Sequence, residues 1–117
     1  MDPYIIIEHN KLKNFRTKTC DEAGKNPVWN EEFHISLSSP TDAINLLCYD
    51  EDIIVDDFIG VATLSIDLTK VSKDYQSHCI DMFRKNKKTA ELVIETKLEM
   101  PKEELGSAAS LMLDSLL

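Results

Sequence analysis

Ala43-Ile44-Asn45-Leu46-Leu47-Cys48-Tyr49 runs directly into Asp50-Glu51-Asp52-Ile53-Ile54-Val55-Asp56-Asp57-Phe58-Ile59-Gly60. The first stretch is almost continuously apolar, the sign of a strand buried on both sides. Beyond the acids, Ile59, Val61, Leu64 and Ile66 alternate, with Ala62 the less regular member. The pattern is strand, acidic loop, strand. Hard cations need several carboxylate oxygens converging at about 2.3–2.6 Å, and a loop between strands can supply them. Yet Ile53, Ile54 and Val55 sit mid-loop, where solvent would dictate polar residues. An acidic loop with an apolar tip suggests a device that docks on a membrane when a cation arrives.

Working outward, further strands appear. Residues 4–7 are Tyr-Ile-Ile-Ile, and 15–20 alternate basic with small or apolar residues. Residues 31–37 place Phe33, Ile35 and Leu37 on one face. Residues 77–82 are a weaker strand candidate, and 90–98 place Leu92, Ile94, Thr96 and Leu98 together. Seven strands at roughly 10–15-residue spacing predict an all-β, antiparallel Greek-key β-sandwich. The tail 101–117 reads differently. Pro101 opens it, Glu103 and Glu104 follow, and Leu105, Ala108, Ala109, Met112 and Leu116 fall on a rough helical stripe. That predicts a short C-terminal helix after a domain spanning 2–100.

The chain has 117 residues, 43% of them hydrophobic and 29% charged, which suits a single globular domain. Its formal charge of −8 argues against a nucleic-acid partner, which calls for a basic face. Cys20, Cys48 and Cys79 are odd in number and lack CxxC spacing, which fits free thiols in a reducing compartment. No apolar run approaches the length of a membrane span, so the expected address is cytoplasmic.

Between two of these strands lies Asn26-Pro27-Val28-Trp29-Asn30-Glu31-Glu32-Phe33, a proline-set turn followed by the sole tryptophan. Together with Asp2-Pro3-Tyr4, Arg16-Thr17-Lys18-Thr19, Asp50-Glu51-Asp52 and Asp57-Phe58-Ile59-Gly60, this segment resembles a C2 domain, over residues 2–100. The resemblance implies an eight-stranded sandwich with loops at one end that hold Ca²⁺ and touch phospholipid. It matches Asp2 to the first calcium loop and Asp50, Asp52 and Asp57 to the third, with Asp56 able to stand in for Asp57. Arg16 and Lys18, with Lys11 and Lys13, resemble the basic cluster that contacts phosphoinositides in some members. The chain departs from the family by starting inside the first calcium loop, without the opening strand and the first aspartate. Residues 90–98 resemble the closing strand of members with the permuted topology. A missing strand bares an edge that invites a second copy of the chain, or cover by the tail 111–117.

These residues imply a non-catalytic, calcium-regulated module that binds anionic phospholipid membranes, peripheral to them, with Ile53, Ile54 and Val55 entering the interface. The alternative is a calcium-independent domain that binds a protein partner. Enzymatic chemistry finds no support. His9, His34 and His78 are scattered, no GxSxG elbow occurs, and three glycines cannot build a phosphate loop. An EF-hand fails because Ile54 and Val55 fall where a ligand and a glycine are required.

Overall fold

The computed structural model describes residues 1–9, 13–20, 26–36, 41–67, 72–99 and 108–116. The described residues form eight strands: β1 (Pro3–His9), β2 (Lys13–Arg16), β3 (Val28–Ser36), β4 (Thr41–Asp50), β5 (Asp57–Asp67), β6 (Gln76–Arg84), β7 (Lys87–Glu99) and β8 (Ala108–Leu116). Their order is β2-β1-β4-β5-β6-β7-β8-β3, and every pairing is antiparallel. The junction β5–β6 is a single pairing, Val61 with Phe83. The order therefore divides into two four-stranded halves that face each other.

Alternation produces the core. Ile5, Ile7, Ile44, Leu46, Cys48, Ala62, Leu64 and Ile66 point inward from one half. Trp29, Ile35, Met82, Leu92, Ile94, Leu111, Leu113 and Leu116 meet them from the other. Each large side chain so buried contributes about 1.5–3 kcal/mol. At the junction, Gly60 lets the halves approach. A Cβ there would lie 2.5 Å from Thr89 Oγ1 and 3.3 Å from the Phe83 carbonyl oxygen.

Strand β4 is buried on its inner face only. Leu47 and Tyr49 are half-buried on the outer face, and rings flank Tyr49 there. Tyr4 stacks on Tyr49 with centroids 5.6 Å apart, and Tyr49 meets Phe58 at 5.4 Å. Strand β2 is shorter than the reading over 15–20. The chain beyond it still follows β1, through Thr17 N–H to the Ile5 carbonyl and Cys20 N–H to the Pro3 carbonyl.

The tail corrects the sequence reading. Residues 108–116 form β8, a strand and not a helix, inserted between β7 and β3. Residues 101–107 lie outside the described residues. Leu111 and Leu113 alternate inward, and the register shift between Val93 and Ile94 brings Leu116 inward as well. The eighth strand implied by the resemblance is thus present, supplied from the C-terminal side. The gap that motivated pairing with a second copy is filled by the chain itself.

Candidate functional site

Strands β4 and β5 run together to their last pair, Asp50 opposite Asp57. Like charges directly opposite are unfavourable in a ladder. Residues 51–56 bridge them, and the loop is held from below. The Asp2 N–H donates to Asp50 Oδ1 at 2.8 Å, and the Glu51 N–H donates to the Asp2 carbonyl at 2.9 Å. Within the loop, the Asp52 N–H donates to Asp56 Oδ1 at 3.0 Å and the Ile53 N–H to Asp52 Oδ1 at 2.6 Å. The Tyr4 hydroxyl donates to Asp56 Oδ2 at 2.5 Å.

Asp56 thus engages both carboxylate oxygens inside the protein. The Tyr4 hydroxyl, then the Asp52 N–H, hold its pKa below the usual carboxylate range. Burial, reinforced by Asp56, pushes the Tyr4 phenol up to about 12. Arg16 lies over the Tyr4 ring at 3.7 Å from its centroid and 4.0 Å from Glu51 Oε1. Residue types that are far apart in sequence form one bracket under the loop.

Above this bracket the apolar tip stands clear. Ile53 is 100% exposed, Ile54 90% and Val55 70%. The structure brings Asp2, Asp50 and Asp57 to the loop base, beside Asp52 and Asp56. Among the described residues, however, no three Asp, Glu, His or Cys side chains lie close enough together to hold a metal ion. Arg16 is half-exposed and bracketed as above, and Lys18 is exposed with its N–H on Glu31 Oε2 at 2.9 Å. Lys11 and the Lys13 side chain lie outside the described residues.

Two features escaped the sequence reading. Tyr4 as a strut for Asp56 leaves no sequence signal, because the partners are 52 positions apart. The basic run Arg84-Lys85-Asn86-Lys87-Lys88 did leave one, four cations in five residues. It forms the β6–β7 turn at the same end as the acidic loop, since β6 runs upward beside the descending β5. A cavity of 130 Å³ opens at the other end, lined by residues that include Leu64, Ile66, His78 and Thr96. It is remote from all of these groups.

An antiparallel sandwich with an acidic, apolar-tipped loop at one end defines the class, and the comparisons agree. The family model for the C2 domain matches residues 1–82, and the chain belongs to that family. It is similar to GTPase activating protein 1 of Oryza sativa subsp. indica, 37% identical over 65 residues, covering 56% of this chain and 38% of that protein. Protein C2-DOMAIN ABA-RELATED 6 of Arabidopsis thaliana is 35% identical over 69 residues, covering 56% of this chain and 37% of that protein. Tricalbin-2 of Saccharomyces cerevisiae is 26% identical over 98 residues, covering 83% of this chain and 8% of that protein. The match thus spans less than two fifths of each of these relatives.

Proposed function

We propose that this chain is a non-catalytic membrane-docking module, peripheral to phospholipid surfaces of the cytoplasm, with Ile53, Ile54 and Val55 as its insertion element. The observation that carries this reading is their exposure, 100%, 90% and 70%, on a loop held firmly from below. An apolar cluster kept in water by a braced scaffold is a surface awaiting an apolar partner. Full desolvation contributes about 1.5–3 kcal/mol for each side chain, and shallow insertion less. That range gives weak, reversible attachment.

The carboxylates beneath the tip set the condition for docking. Asp2, Asp50, Asp52 and Asp57 repel an anionic surface. Cancelling their charge would admit an anionic membrane, and Ca²⁺ is the ion suited to carboxylate oxygens. The charge argument and the family support calcium regulation. Among the described residues these carboxylates are not gathered into a metal cage.

The test is co-sedimentation with vesicles of phosphatidylcholine and phosphatidylserine, in calcium and in chelator. Wild type should bind, and Ile53→Ser with Ile54→Ser should release it without loss of fold. Asp50→Asn with Asp52→Asn should remove the response to calcium. A folded wild type that binds no vesicle in either condition refutes the reading and leaves the protein-interaction alternative.

A further inference from the structure

The β6–β7 hairpin closes on a two-residue turn, with Arg84 opposite Lys87 as its last pair. Lys85 and Asn86 both have positive φ, 50° and 65°, the signature of a type I′ turn. Asparagine tolerates that conformation, whereas lysine is uncommon there. Arg84 facing Lys87 sets two like charges across the ladder, which is unfavourable until an anion joins them. Lys88 is matched within the sheet, with Nζ 3.3 Å from Asp81 Oδ1 and 2.5 Å from Glu91 Oε1. Arg84, Lys85 and Lys87 are exposed. Phe83 is 44% exposed beside them, at the register shift between Met82 and Phe83.

The position of this turn matters as much as its charge. From the Val61–Phe83 pair, β5 climbs four residues to Asp57, about 13 Å at the rise of a strand. The basic turn climbs about two residues, roughly 7 Å, toward the same end. A tip buried to a depth of about 5–10 Å at the headgroup boundary therefore lowers the turn to the headgroups.

We infer that Phe83, Arg84, Lys85 and Lys87 form a second membrane contact that takes the anionic headgroups of a lipid surface; this rests on the docking reading above. The contact supplies cations that the acidic loop lacks and needs no metal ion. It selects anionic lipid, while the apolar tip supplies insertion that is indifferent to headgroup charge. Two contacts on separate hairpins also fix the tilt of the domain on the membrane.

The experiment compares wild type with Arg84→Gln, Lys85→Gln and Lys87→Gln combined, on phosphatidylcholine vesicles with and without phosphatidylserine. These side chains are exposed, so the fold should survive, with circular dichroism as the check. Each cation near an anionic leaflet is worth roughly a fivefold change in affinity. The triple variant should therefore lose on the order of a hundredfold on phosphatidylserine vesicles. Binding to pure phosphatidylcholine should be unchanged, and the salt dependence should flatten. Undiminished binding to phosphatidylserine vesicles overturns the inference, as does an equal loss on both vesicle types or a wild type that ignores phosphatidylserine. The docking reading fails separately, if Ile53→Ser with Ile54→Ser binds as wild type does.

Discussion

Removing the last strand should abolish the fold. Ending the chain after residue 100 deletes β8, whose Leu111, Leu113 and Leu116 are 1%, 0% and 2% exposed. At about 1.5–3 kcal/mol for each leucine, their burial amounts to roughly 5–9 kcal/mol. A domain of this size has only about 5–15 kcal/mol in all. The deletion also strips ladder partners from both β7 and β3, leaving two unpaired edges around an exposed core. The shortened chain should show no cooperative thermal transition by circular dichroism, and few dispersed amide resonances. As a gentler probe, Leu113→Ala in the full chain should cost about 2–5 kcal/mol in a denaturant titration. A shortened chain that melts cooperatively within a few degrees of the full one would refute the reasoning, for β8 would then be an appendage.

Other outcomes follow from single groups. Tyr4 should titrate at about 12 by phenolate absorbance, and Tyr4→Phe should remove that component. Because the folded pKa of Tyr4 is raised, its contribution is full below the ordinary tyrosine value and is lost as pH climbs toward 12. Asp56 runs the other way: its depressed pKa stabilises the loop above the ordinary aspartate range and is lost as pH falls through the lowered value. Gly60→Ala should destabilise by about 1–3 kcal/mol through overpacking against Thr89, and by less in a Thr89→Ala background, measured by denaturant titration. Thr17→Val should cost about 1–3 kcal/mol, since the buried Ile5 N–H loses the Oγ1 acceptor at 2.9 Å; calorimetry would check it.

Strands β3, β5 and β7 were legible because alternation is a local signal. Phe33 and Ile35, or Leu92 and Ile94, read the same in a short window as in the finished sheet. Strand β8 was not. Its Ala108, Ala109, Met112 and Leu116 fit a helical stripe, while Leu111 and Leu113 fit a strand, and a short window cannot choose between the two periods. Pairing with both β7 and β3 makes the choice, and those partners are distant in sequence and invisible to a short window. The acidic loop divides in the same way. Its carboxylates were evident from composition, but their separate roles were not. Asp56 became a strut because Tyr4, on the neighbouring strand β1 opposite Tyr49, points a hydroxyl at it from 52 positions away in the sequence. The exposure of Ile53, Ile54 and Val55 likewise depends on the bracket below them, which no local pattern announces.

The tryptophan has a use beyond packing. Trp29 is the sole tryptophan of the chain, 8% exposed, with its indole N–H on the Pro3 carbonyl at 3.3 Å. Pro3 follows Asp2, whose backbone is stitched to Asp50 and Glu51 at the base of the loop. The protein therefore carries an intrinsic fluorophore wired to its acidic end. A change in polarity or geometry there reaches the indole through one hydrogen bond and one peptide unit. Emission wavelength and quenching can follow events at that end in real time, in the unlabelled protein, with no other indole to dilute the signal.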